Sequence, residues 1–103
     1  MRIIWDEPKR IANLDKHGMD FADLNEEFFD TALVLNTYGR RYRAIGVNIR
    51  GVISVIFAVY GAEAVSIVSM RPANKKEREL MKRTVAKKRY SASDMRVVSN
   101  NPE

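Results

Sequence analysis

The 103-residue chain contains no cysteine. This excludes disulfides, a thiol nucleophile and any zinc site built on thiolates, and it fits a reducing compartment. Histidine is nearly absent too. His17 stands alone, too little for an all-histidine metal site within one chain. Long apolar runs are also lacking. The longest, Val52 to Tyr60, is interrupted only by Ser54 and is far too short to cross a bilayer as a helix. The opening residues M-R-I-I-W-D-E-P-K lack an apolar segment followed by a small-residue cleavage site, so no secretory signal is expected. There is no glycine-rich phosphate loop, no metal-ligand cluster and no Ser-His-Asp order. An enzyme of this sequence is expected to be cytoplasmic and to work without metal, cofactor or covalent thiol.

What is present supports one folded domain. Hydrophobic residues make up 46% of the chain, enough for a core. Charge is distributed unevenly. Residues 1–30 carry four basic and eight acidic side chains, a net −4, whereas residues 71–90 carry nine basic and two acidic ones, a net +7. A local field of that sign favours a polyanion or an acidic partner.

Periodicity predicts an α+β fold. Arg2 to Trp5 reads as a first strand. Asp6-Glu7-Pro8 starts a helix running to about His17 and stopped by Gly18, with Ile11 and Leu14 as a narrow apolar stripe. Asp20 caps a second helix whose buried stripe is Phe21, Leu24 and Phe28 and which ends near Asp30. Strands follow at Ala32 to Leu35, Tyr42 to Ile49, Val52 to Tyr60 and Ala64 to Arg71, joined by tight connectors at Arg50-Gly51 and Gly61-Ala62. The apolar run V-I-S-V-I-F-A-V-Y is expected in the sheet centre, covered on both faces. Asn74 caps a third helix, Lys75 to Lys88. The domain is expected to span residues 1–89, with 90–103 a polar tail that docks at most a short piece around Met95 to Val98.

The stretch S-M-R-P-A-N-K-K-E-R-E-L-M, Ser69 to Met81, carries the candidate chemistry. Leu80, Met81, Thr84 and Val85 define the sheet-facing side of the last helix, and Glu77 points to the same side. Glu77 is either a general base, a residue that orients Arg71, or the second half of a capping box with Asn74; the roles are compatible. Arg71, by alternation on one strand face with Ser69 and Ile67, sits at a strand end beside a helix N-terminus. That position suits phosphate recognition, or a structural pair with Glu77. Arg41 and Arg43 share a strand face and could line a groove with Arg71. Lys75 and Lys76 add positive charge where the helix begins. His17 ends the first helix, where the dipole favours a cation, but its near-neutral titration also suits proton transfer. Trp5, Phe21, Phe28 and Phe57 are expected in the core.

Three separated segments, W-D-E-P-K-R-I-A-N-L-D-K-H-G-M-D-F (Trp5 to Phe21), R-A-I-G (Arg43 to Gly46) and I-V-S-M-R-P-A-N-K-K-E-R-E (Ile67 to Glu79), resemble the BrnT toxins of type II toxin–antitoxin systems. The resemblance implies a compact RelE-like α+β domain, with two N-terminal helices and a C-terminal helix on a mainly antiparallel sheet of about four or five strands. It implies metal-independent cleavage of RNA through the ribose 2′-OH and inhibition of translation. It also implies neutralisation by a BrnA-like antitoxin with a ribbon-helix-helix DNA-binding domain, so that DNA is met only through the antitoxin. The residues carried over are Lys16 and His17, Arg43, Arg71, Glu77 and Arg78. Arg71 and Arg43 would stabilise phosphoryl charge, Glu77 or His17 would carry the proton, and Lys16 and Arg78 would contact phosphate. The chain departs from many relatives at Met70-Arg71-Pro72, where proline holds the preceding arginine extended. A non-catalytic basic module that binds nucleic acid, or a degenerate toxin acting only in a repressor complex, would share these features.

Overall fold

The structure is a computed structural model and describes residues 1–88. Strand β1 (Arg2–Trp5) leads into helix α1 (Glu7–His17). A single 3-10 turn (Phe21–Asp23) and helix α2 (Glu26–Thr31) follow. The chain then forms a meander of β2 (Leu33–Asn36), β3 (Arg41–Asn48), β4 (Gly51–Tyr60) and β5 (Ala64–Pro72), and ends in α3 (Lys75–Lys88). The sheet order is β1-β5-β4-β3-β2, antiparallel except for β1, which runs parallel to β5. This is the α+β architecture expected. The tail from residue 90, including the expected piece at Met95 to Val98, lies outside the described residues. Among the described residues no helix is long and apolar enough to cross a membrane.

The two sheet faces carry different layers. One buries Ala44, Ile53, Val55, Phe57, Val65, Ile67 and Met70 beneath Phe21, Leu24, Phe28 and Phe29. Gly46 lies on this face. A Cβ there would stand 2.7 Å from Cε1 of Phe28 and 3.2 Å from Cβ of Ala32, so the absence of a side chain sets how closely α2 approaches the sheet. The opposite face holds Leu33, Leu35 and Ile45, covered by Leu80 and Met81 of α3 with Val52. As expected, β4 is central, with Ile53, Ser54, Val55 and Phe57 buried, but its end is not covered: Val59 and Tyr60 are exposed.

The expected second helix is two elements. Asp20 accepts from the Ala22 N–H and caps only the 3-10 turn; Asn25 then accepts from the Phe28 N–H and starts α2 afresh. The interruption costs the apolar stripe nothing, since Phe21, Leu24 and Phe28 are all buried. Trp5 is half-buried, packed on the edge of the core and set edge-on to Phe21.

Helix α1 corrects the sequence reading more sharply. Ile11 and Leu14 are 55% and 39% exposed, and the residue turned inward is Asn13. The reason lies in sheet pairing. Strand β1 covers β5 only from Ala64 to Ile67, so farther along β5 has no neighbouring strand on that side. There the Asn13 carboxamide donates to the Met70 carbonyl (2.8 Å) and accepts from the Met70 N–H (3.0 Å), and it donates also to the Met19 carbonyl (3.1 Å). One side chain thus substitutes for a strand residue at a buried edge, where unpaired backbone groups are costly.

A second correction concerns β5. Ile56 pairs with Ser69 but Phe57 with Ile67, so Val68 is an extra residue, a β-bulge. Strict alternation would put Ile67, Ser69 and Arg71 on one face. The bulge instead sends Ile67 into the core, 1% exposed, and leaves Ser69 and Arg71 on the α3 side.

Two outcomes follow for stability. Asn13→Ala, which orphans the Met70 backbone groups, is expected to cost about 2 kcal/mol and to lower the melting temperature by on the order of 10 °C in a thermal scan. Gly46→Ala, which drives a methyl group into a packed ring, is expected to destabilise by roughly 1–3 kcal/mol in denaturant titration; a neutral result would mean that α2 can shift freely.

Candidate active site

The site starts from a helix cap. Asn74 Oδ1 accepts from the Glu77 N–H (2.8 Å), and Glu77 Oε1 accepts from the Asn74 N–H (2.9 Å), the reciprocal pair of a capping box. Leu80 and Met81, one turn further, turn the same side of α3 to the sheet, with Thr84 buried beyond them. The Val85 side chain lies outside what is described. Capping and docking together hold the Glu77 carboxylate, 12% exposed, over the end of β5.

Arg71 meets that carboxylate with a fork: Nη1 donates to Oε1 and Nη2 to Oε2, both at 2.9 Å. Its Nη1 also donates to the Pro72 carbonyl at 3.0 Å. Pro72 is the last residue of β5 and Arg71 is extended, as the residue before a proline prefers. Arg43 reaches the same carboxylate from β3, its Nη1 3.3 Å from Oε2, and that nitrogen also donates to the hydroxyl of Ser54 on β4. Register explains the convergence. Arg43 faces Ile56, Ile56 faces Ser69, and Ser54 faces Arg71, so both arginines and Ser54 share the α3 side of three adjacent strands.

The carboxylate is heavily engaged. A carboxylate offers about four acceptor positions, and Glu77 accepts three hydrogen bonds and makes an ion-pair contact with Arg43. Burial pushes its pKa up, but the Arg71 fork, the Asn74 N–H and the charges of Arg71 and Arg43 outweigh it and hold Glu77 below the usual carboxylate range. Arg43 is pulled the other way: burial lowers its pKa, Glu77 raises it and Arg71 lowers it further. Two guanidinium groups against one carboxylate leave the corner with net positive charge. Each arginine also keeps a free edge. Among the described residues no partner is found for the Nε–H and second Nη2 hydrogen of Arg71, nor for the Nε–H and Nη2 group of Arg43. Such an edge is the geometry with which arginine grips two oxygens of a phosphate. The corner is open, with the Arg43 and Arg71 side chains 26% and 31% exposed. Among the described residues no group of three His, Cys, Asp or Glu side chains could hold a metal ion.

The remaining candidates lie around this corner or apart from it. Arg41 is exposed on the same face as Arg43, opposite Ala58. Lys75 and Lys76 are exposed on the first turn of α3. Arg78 is not brought to the cluster. Its Nη1 donates to the Ala73 carbonyl (2.8 Å), and it borders a separate hollow of about 380 Å3 with Val47, Val52, Met81 and Lys82. Lys16 and His17 stand at the C-terminal end of α1, Lys16 exposed and His17 half-buried, with no side-chain hydrogen bond or ion pair to a described residue. Trp5, Glu7, Arg10 and Asp20 of the first segment serve the scaffold. Trp5 Nε1 donates to Glu7 (3.0 Å), and Arg10 bridges Glu7 and Asp20. Ser54 was not a candidate from the sequence. Its one signal there is that it alone breaks the apolar run of β4. It is 1% exposed, and a hydroxyl so buried costs about 1–3 kcal/mol unless paired.

Comparison with known proteins shows the family of the chain. No curated protein matches the chain. Among solved structures, the 1.1 Å crystal structure of the Brucella abortus ribonuclease toxin BrnT matches with a TM-score of 0.69 and 53% sequence identity, over 73% of this chain and 99% of that one. The model of the BrnT family, described as the ribonuclease toxin of a type II toxin–antitoxin system, matches residues 5–77, from the tryptophan that anchors α1 to the glutamate that joins the two arginines. The chain therefore belongs to the BrnT family of type II toxin–antitoxin ribonuclease toxins.

Proposed function

We propose that this chain is an endoribonuclease that cleaves RNA at the Arg43–Arg71 corner and needs no metal to do so. The observation that supports this best is the pair of free guanidinium edges on one sheet face beside the first turn of α3. A phosphodiester seated there meets two fixed cations, the charge a divalent ion supplies in other nucleases. The 2′-oxygen of the preceding ribose loses its proton to a base and attacks phosphorus. The P–O5′ bond breaks, leaving a 2′,3′-cyclic phosphate and a 5′-hydroxyl that takes up a proton. Arg43 and Arg71 stabilise charge on the phosphoryl oxygens, held in place and at no cost of reorganisation. Lys75, Lys76 and Arg41 extend the cationic surface along the strand to either side, with Lys16 and Arg78 as outer contacts.

Of the two proton carriers, Glu77 already accepts three hydrogen bonds and pairs with Arg43, which favours a part in aiming the arginines. Proton transfer is then assigned to His17, the one imidazole of the chain.

The test uses purified protein and an RNA oligonucleotide in excess chelator. Cleavage is expected from the wild type, with Arg43→Ala and Arg71→Ala folded but slower by roughly 100-fold or more. His17→Ala should lose about 10²–10⁴ in rate together with the acid limb of the pH profile. Glu77→Gln should slow the reaction and keep that limb; loss of the limb with Glu77→Gln would make Glu77 the base. Wild type that binds RNA and leaves it intact would establish the binding-only module instead.

The same surface suits inhibition. We propose that a BrnA-like antitoxin with a ribbon-helix-helix domain covers the start of α3 in the cytoplasm, lifting a block on translation, and that the complex meets DNA only through the antitoxin. Hydrogen exchange on the complex is expected to protect the segment around Arg71 and Lys75; a bound antitoxin that leaves both open contradicts steric inhibition.

A further inference from the structure

We propose that Ser54 is a positioning residue for Arg43: its buried hydroxyl aims the guanidinium so that the free edge faces the substrate phosphate. The inference rests on the ribonuclease reading above and adds a residue to it. Ser54 is the one polar side chain in the core-spanning part of β4, with Ile53 and Val55 on either side fully buried. On the α3 face it stands across from Arg71 on β5 and across from Ile45 on β3, hence diagonal to Arg43, the near position that a long side chain can reach.

The contacts of Arg43 show why the hydroxyl matters. Its guanidinium is anchored at one nitrogen only, Nη1, by Ser54 and by Glu77 Oε2. The Glu77 contact is the longer, 3.3 Å, and Oε2 is already committed to Arg71 at 2.9 Å. Nη1 thus carries one hydrogen bond and one ion-pair contact, and among the described residues none pairs with Nε or Nη2. Without the hydroxyl, Arg43 retains one shared acceptor. It is then free to rotate about that point and to compete with Arg71 for Glu77. Arg71 needs no such help, being held at both Nη nitrogens and by the Pro72 carbonyl. The asymmetry assigns Ser54 to one arginine and not to the other.

Packing and positioning can be separated with a matched pair. Ser54→Thr keeps the hydroxyl on a strand-compatible frame, and Ser54→Val has the same shape without it. We expect Thr to cleave an RNA oligonucleotide near the wild-type rate and Val to fall roughly 10–100-fold in kcat with little change in KM, the scale of a small misplacement at a reacting centre. In an Arg43→Ala background the Thr and Val versions should cleave equally, because the hydroxyl then has nothing to aim. Equal rates for Thr and Val on the wild-type background overturn the proposal, as does a Thr–Val difference that persists without Arg43. A wild type that does not cleave removes the ribonuclease reading separately. The pair is then compared by affinity for a 2′-deoxy oligonucleotide, where Val must bind more weakly than Thr and only when Arg43 is present; equal affinities sink the assignment on that readout as well.

Discussion

The carboxylate of Glu77 is the contact through which the rest of the site is organised. It closes the cap of α3, receives both Nη nitrogens of Arg71 and reaches Nη1 of Arg43. A local element, a strand pairing and an active-site candidate therefore share one anion. Taken alone, a glutamate only 12% exposed would be costly. Here two cations and a backbone N–H surround it. The arrangement keeps two like charges close together by placing a negative one beneath them, and it leaves both with donors to spare.

The position of this anion depends on β5 serving two faces at once. Ile67 and Met70 belong to the core under α1 and α2, whereas Ser69 and Arg71 belong to the side of α3. A regular strand cannot place Ile67 and Arg71 on opposite faces, since an even spacing keeps residues together. The bulge at Val68 changes the parity between them, and Asn13 stabilises the strand beyond it, at Met70, by bonding both backbone groups from α1. The scaffold segment near the N-terminus thus fixes the register of the strand that carries Arg71. This is a physical reason for a single domain to contain segments that are far apart in sequence and matched together by one family.

Much of this was legible beforehand. The bounds of α3 and its capping box are written in Asn74 and Glu77. The five strands follow from β-branched runs between turn residues, and Arg43 and Arg41 share a face as simple alternation requires. What escaped has a common cause. Helical spacing marks Ile11 and Leu14 as the inner stripe of α1, but the buried, unpaired edge of β5 wanted an amide, and Asn13 supplied it. Periodicity runs unbroken through Phe21, Leu24 and Phe28, but Asn25 caps a new helix between them. Alternation along β5 misplaces Ile67 because a bulge leaves no residue signature in a run as uniform as A-V-S-I-V-S-M. In each case tertiary hydrogen bonding overrode a local pattern. Ser54 is the opposite case: a break in an apolar pattern that meant something and was visible only as an interruption.

The division of labour among the charged residues follows from the same geometry. Arg10, Glu7 and Asp20 satisfy one another, with hydrogen bonds to Glu7 and then to Asp20 holding Arg10 firmly protonated, so that cluster has nothing left to offer a ligand on its bonded side. Arg43 and Arg71 are satisfied on one edge only. The difference is in the count of acids, two around one arginine in the first cluster and one between two arginines in the second. Both lie close to a helix start, and only the second is left cationic. Because Glu77 sits in the first turn of α3, the aim of both arginines depends on that turn staying docked through Leu80 and Met81.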